Sequence, residues 1–124
     1  MMFLLGALYL EVGDEARAIE MFEKTLQYDP ANDSCLNSLG YLYAEKGIKL
    51  DEAKTLIEQA LIIDPENGAY LDSLGWVYFK QGNNQKALEY LFKALNSLDD
   101  PEIYKHISQV YRAMGDTAKA DEHW

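Results

Sequence analysis

Apolar residues recur along this chain at helical rather than alternating spacing, in short stripes interrupted by glycine. Leu5 and Tyr9, then Ala18, Met21, Phe22, Thr25 and Leu26, make two amphipathic stripes on either side of Gly13. The pattern returns as Leu36, Leu39 and Tyr43, followed by Ala53, Leu56, Ile57, Ala60 and Leu61. It returns again as Leu71, Leu74 and Tyr78, then Ala87, Tyr90, Leu91, Ala94 and Leu95. A last, shorter round holds Tyr104, Ile107 and Tyr111, then Ala120 and Trp124. The breaks between stripes carry helix-end chemistry. Gly13, Gly47, Gly82 and Gly115 can take the left-handed conformation that ends a helix. Asp29-Pro30 and Asp64-Pro65 close helices, because proline disfavours helical geometry in the residue before it. Asp33 and Asn67 are placed to cap the helices that follow, and Asp100 before Pro101 reads as a helix start. These signals predict helices near 1–12, 15–28, 33–46, 50–63, 68–81, 84–98, 101–114 and 116–124.

The same phrase is written four times: Leu5-Gly6-x-x-Tyr9, Leu39-Gly40-x-x-Tyr43, Leu74-Gly75-x-x-Tyr78, and a weakened Ile107-Ser108-x-x-Tyr111. Its tyrosines are 34, 35 and 33 residues apart, a period that means stacked supersecondary units. Gly6, Gly40, Gly75 and Ser108 are expected to face Ala18, Ala53, Ala87 and Ala120 across each helix pair. Small side chains on both helices let the backbones approach closely. One turn departs from the pattern: Gly47 to Ala53 spans six residues where Gly13 to Ala18 spans five, so it carries an insertion.

Leu-Gly-x-x-Tyr, then Ala-x-x-x-Phe from Ala18 to Phe22, then proline, at this period, resembles the tetratricopeptide repeat, a helix–turn–helix unit. The resemblance implies one all-α domain over residues 1–124, a right-handed superhelical solenoid, with repeats near 1–32, 33–67, 68–100 and a partial 101–124. The aromatic residue expected before the Leu is Met2, Leu36 or Leu71 here, with only Tyr104 aromatic, and the later Phe becomes Ile57, Leu91 and Trp124. All of these keep an apolar core. The chain is also similar to the C-terminal repeat arrays of large bacterial proteins of this family, many of which carry export or lipoprotein signals. That likeness implies a fragment of a longer protein, cytoplasmic as it stands, but periplasmic or outer-membrane-associated if the parent is exported.

Composition narrows the function. A net charge of −10 weighs against nucleic acid, whose binding relies on Lys and Arg neutralising phosphates. No apolar run is long enough to span a membrane, and the lone Cys35 rules out an internal disulfide or a Cys-based metal cluster. Cys35 reads as a small packing residue. His106 and His123 are 17 residues apart with no His-Glu-x-x-His arrangement, and no phosphate loop or nucleophile elbow exists. Asp64-Pro-Glu-Asn-Gly68 is outwardly like a calcium loop, but its proline and the missing bidentate Glu argue against that. Neither an enzyme nor a bound cofactor or metal is expected.

The better expectation is a surface for protein or peptide. In the family resembled, first helices line a concave groove, and here one i, i+4, i+7 column on each first helix gives three rungs. Phe3, Asn37, Asp72 and Lys105 form one rung; Ala7, Tyr41, Trp76 and Gln109 the next; Leu10, Ala44, Phe79 and Arg112 the last. Tyr41, Trp76 and Phe79 make an aromatic strip, with Lys80, Lys105 and Arg112 basic at one end and Asn37 and Gln109 able to contact amides. Aromatic and Arg side chains dominate many interfaces. The alternative is that Trp76 and Phe79 pack against the adjacent repeat. The carboxylate clamp of some family members is expected to be absent, since Phe3, Ala7, Ser38, Ala69 and Ser73 hold its places. A second role is a spacer or self-assembly segment, with homo-oligomers through uncapped terminal helices.

Overall fold

Helix starts and stops follow the local chemistry closely. The computed structural model describes residues 2–116 and 118–120, with side chains from Leu4 onward. It contains helices α1 (Met2–Glu11), α2 (Glu15–Tyr28), α3 (Asp33–Lys46), α4 (Leu50–Ile63), α5 (Gly68–Lys80), α6 (Asn84–Ser97) and α7 (Pro101–Ala113). Among the described residues there is no strand. Of the eighth helix expected over 116–124, residues 118–120 are helical behind Asp116, whose carboxylate accepts from the Lys119 N–H at 3.1 Å. The rest of that expectation lies outside the described residues.

Short polar side chains accept the orphan N–H groups at helix starts. Asp14 caps α2, Asn67 caps α5, Asn83 caps α6 and Asp100 caps α7 with Pro101 behind it. The α3 cap is Asn32, whose Oδ1 accepts from the Cys35 N–H at 3.0 Å, and not Asp33 as expected. Asp33 instead lies in the first turn, where its charge favours the positive end of the helix dipole. Gly13, Gly47, Gly82 and Gly115 all have positive φ, between 68° and 86°, as their terminating role requires. The insertion leaves its mark at α4: Lys49 has φ 47°, and α4 starts without a side-chain cap.

The chain divides into two compact units, Met1–Asp64 and Pro65–Trp124. In the first, α1 pairs with α2, α2 with α3, and α3 with α4. In the second, α5 pairs with α6, α6 with α7, and α5 also meets α7. Each helix hairpin closes on its small residue. A Cβ on Gly40 would lie 2.6 Å from Ile57 Cγ1 and 2.9 Å from the Ala53 carbonyl oxygen. On Gly75 it would lie 2.8 Å from Leu91 Cγ and 3.0 Å from the Ala87 carbonyl oxygen, and on Gly6 it would lie 2.7 Å from the Phe22 ring. The glycine therefore admits both the alanine backbone and the large residue one turn beyond it.

Burial departs from the repeat in one place. Leu39, Leu74 and Ile107 are buried, but Leu5, the same residue of the first phrase, is 40% exposed. The residue three further on behaves alike: Leu42, Val77 and Val110 are buried, whereas Leu8 is 52% exposed.

Candidate functional site

In the first unit α3 carries the two expected groove residues. Asn37 and Tyr41 are both half-buried, and Asn37 Oδ1 is covered without a hydrogen-bond partner among the described residues.

In the second unit the expected residues fall on two helices that the fold brings together. Asp72, Trp76 and Phe79 occupy one i, i+4, i+7 stripe of α5, with Lys80 beside them. Lys105, Gln109 and Arg112 occupy the matching stripe of α7, and all three are exposed. The link between the helices is His106. Its Nδ1 lies 2.7 Å from Asp72 Oδ1, and the two side chains are only 6% and 12% exposed. With its proton on Nδ1, His106 donates to Asp72 Oδ1, so this buried polar pair is hydrogen-bonded. A buried hydrogen bond of this kind fixes the geometry of the two side chains and of the helices that carry them.

Trp76 stacks on this pair. Its ring centroid is 4.1 Å from that of His106 with 22° between the planes, and 5.0 Å from Phe79 with a 33° tilt. Lys80 Nζ stands 5.3 Å over the indole. Trp76 is 5% exposed, and its Nε1 has no hydrogen-bond partner among the described residues. The indole is thus a packed support, and the accessible part of this face is half-buried Phe79 with Lys80, Lys105, Gln109 and Arg112 around it. Lys105 is itself 3.4 Å from Glu102.

Sequence reasoning set His106 aside while looking for metal and catalytic spacing. The available signal was its distance from Asp72, 34 residues, one repeat period, which places the two on neighbouring first helices.

A second regularity concerns the tyrosines of the repeated phrase. Arg17 lies over Tyr9 at 5.8 Å, Lys86 over Tyr78 at 5.5 Å and Lys119 over Tyr111 at 5.7 Å, each cation eight residues on. Tyr43 is covered instead by Lys49 at 5.1 Å, six residues on. The inserted turn, with its left-handed Lys49, supplies a cation where Asp51 and Glu52 occupy the usual stretch.

Cys35 is fully buried, and its Sγ donates to the Phe22 carbonyl at 3.3 Å. Burial first, and the Asp29 charge second, push its pKa up to about 11, which disfavours the reactive thiolate. Among the described residues no group of three or more His, Cys, Asp or Glu side chains could hold a metal ion, and no helix is long and apolar enough to cross a membrane.

Repeated helix hairpins, each closed on a small residue and each turning at a left-handed glycine, define an all-α repeat protein. Two sequence profiles described as tetratricopeptide repeat match residues 9–71 and 49–102, and the chain belongs to the tetratricopeptide repeat family. Among curated proteins it is 33% identical over 48 residues to the photosystem I assembly protein Ycf3 of a Synechococcus strain, covering 39% of this chain and 28% of that protein. It is 40% identical over 45 residues to the bovine (Bos taurus) BBSome complex member BBS4, covering 36% of this chain and 9% of that protein. The match therefore spans less than a third of either relative's length. Among solved structures, MamA from Desulfovibrio magneticus superposes with a TM-score of 0.81 at 20% identity, over 98% of this chain and 69% of that one. Another crystal structure of MamA gives 0.73 at 27% identity, over 95% and 69%. The fold and the family together make this chain a protein-interaction module.

Proposed function

We propose that the chain is a non-catalytic module that binds a protein or peptide segment on its first-helix face, chiefly on the α5–α7 face of the second unit. The observation that carries this reading is the placement of Lys80, Lys105, Gln109 and Arg112, exposed around half-buried Phe79 on a base held by the Asp72–His106 pair and Trp76. A rigid base lets exposed side chains bind with little ordering cost, and an apolar anchor rimmed by polar and cationic groups is how many interfaces are built. Asn37 and Tyr41 extend the same role to α3 of the first unit. The relatives include proteins named for assembly or membership of a complex, which fits a scaffold better than an enzyme. The overall acidity argues against nucleic acid.

The test is a peptide-library screen against the wild type and the surface variants Lys105→Glu and Arg112→Glu, with Trp76→Ala as the variant that removes the base. Peptides selected by the wild type should lose at least about tenfold in affinity for each charge reversal. Unchanged binding by all three variants would sink the face as the binding site. The other role, a spacer or self-assembly segment of a longer repeat protein, is favoured by the exposed apolar residues of α1 (Leu4, Leu5, Leu8). Sedimentation at high concentration tests it, and a strict monomer counts against self-assembly.

A further inference from the structure

In the second unit α6 runs back along α5, and α7 runs parallel to α5 with His106 level with Asp72. The C-terminal turns of α5 and α7 therefore share one edge with the N-terminal turn of α6 and with residues 118–120. This edge carries Lys80, Lys86, Arg112 and Lys119, all exposed. Among the described residues the one carboxylate on it is Asp116, which accepts from the Lys119 N–H at 3.1 Å. Glu89 lies a turn deeper in α6, and Glu66, Asp99, Asp100 and Glu102 stand at the opposite end of the unit. The matching edge of the first unit is acidic. There the ends of α1 and α3 and the starts of α2 and α4 bring six carboxylates (Glu11, Asp14, Glu15, Glu45, Asp51, Glu52) to three cations.

Helix chemistry accounts for half of these cations. Lys80 and Arg112 are in last turns, where a cation complements the dipole. Lys86 stands at the other pole, where a cation is unfavourable, and α6 has no carboxylate in its first turn to offset it. Lys119 repeats that placement behind the Asp116 cap. Three of the four are held over aromatic rings: Lys80 over Trp76 at 5.3 Å, Lys86 over Tyr78 at 5.5 Å and Lys119 over Tyr111 at 5.7 Å. Their positions are thus set in advance, which lowers the ordering cost of binding.

We propose that this basic edge docks a short acidic segment of a partner protein. Charge complementarity selects the sign of the partner, and the net charge of −10 selects its length. Screening confines the attraction of the edge to about 8 Å at physiological salt. A long polyanion such as nucleic acid, or a second copy of this chain, would lay further negative charge on an acidic surface, and a short segment does not. Met114, 47% exposed on the same edge, gives an apolar side chain of that segment a flexible contact. The edge is separate from the α5–α7 binding face, because Lys86 and Lys119 lie on neither helix.

The experiment titrates the whole chain into a short labelled peptide of glutamates around a central leucine, read by fluorescence anisotropy. The wild type should bind it, and added sodium chloride should weaken binding. Lys86→Glu combined with Lys119→Glu, checked by circular dichroism for unchanged helicity, should weaken it at least about tenfold. Lys86→Arg combined with Lys119→Arg keeps both charges and should bind as the wild type does. So should Lys105→Glu, which alters the α5–α7 face alone. No binding by the folded wild type at low salt, equal binding by the glutamate pair, or loss of binding in the arginine pair overturns the proposal. Loss in Lys105→Glu without loss in the glutamate pair also overturns it, since the peptide then sits on the α5–α7 face, which is left standing. Tighter binding of a single-stranded oligonucleotide of equal charge, or a wild-type dimer that the glutamate pair dissolves, overturns it in favour of nucleic acid or of a second copy.

Discussion

Ser108 sits where the other three copies of the phrase have glycine, and it is fully buried with its Oγ unpartnered among the described residues. A buried hydroxyl without a partner costs about 1–3 kcal/mol, and the site already holds a Cβ. Ser108→Ala should therefore raise stability by about 1 kcal/mol. Gly75→Ala should lower it by roughly 1–3 kcal/mol, because the new Cβ meets the Ala87 backbone as well as Leu91. Urea midpoints distinguish the opposite signs. Two other buried residues set a pH dependence. Cys35 is raised from 9.0 to about 11 by burial and then by Asp29, and Tyr43 is raised above its ordinary value by burial and then by its hydrogen bond to Glu23. Both groups keep their protons in the folded chain while the unfolded chain loses them. Stability should thus be flat around neutrality and fall as pH rises from about 9, through about 11 for the thiol. Urea titrations across that range measure the slope, and Cys35→Ala should remove the thiol's share. A slope that is the same in both proteins would show that Cys35 does not contribute.

At the scale of the helix, the inserted turn before α4 is the informative case. Lys49 bears a left-handed φ that suits glycine, and it also covers the Tyr43 ring. Lys49→Gly relieves a strain of about 1 kcal/mol while giving up a cation–π contact of about 0.5–1 kcal/mol, so it should be nearly neutral. Lys49→Ala keeps the strain and loses the contact, and should be less stable than the glycine variant by about 1 kcal/mol. Thermal melts of the two variants decide it, and equal stabilities would mean that the backbone relaxes. The helices themselves were legible from the chain, because caps, glycines and prolines are local signals. Asn32 replaced Asp33 as the α3 cap because the choice between adjacent polar residues depends on which side chain reaches the N–H three residues on. The exposure of Leu5 was not legible, since its phrase is the same as those of Leu39 and Leu74. Burial depends on whether a helix covers the stripe, and no residue in α1 encodes that.

Across the molecule, acidity is unevenly shared. Met1–Asp64 carries 12 acidic and 5 basic side chains, and Pro65–Trp124 carries 9 and 6. Like charges oppose compaction, and salt screens them. Raising sodium chloride from low to physiological strength should therefore slow amide exchange in α2–α4 more than in α5–α7. A mass-spectrometric exchange series reads both regions in one sample, and equal slowing would mean that the excess charge is too dispersed to act. The repeat architecture and family were legible from the whole-chain period, which four registers of one phrase over-determine. The candidate site was legible only in outline. The stripes of α5 and α7 could be drawn from i, i+4, i+7 spacing, but the Asp72–His106 link and the burial of Trp76 could not, since both require two helices a repeat apart to meet.

By itself the sequence determined the helices, their ends and the family, because turn chemistry and amphipathic period act within a few residues and the repeat multiplies each signal. The tertiary structure decided which of the identical phrases are buried and which aromatic is support rather than surface. It also decided which histidine carries a carboxylate. Those outcomes depend on what stands against each helix, and a residue's neighbours in space are fixed only when the helices pack.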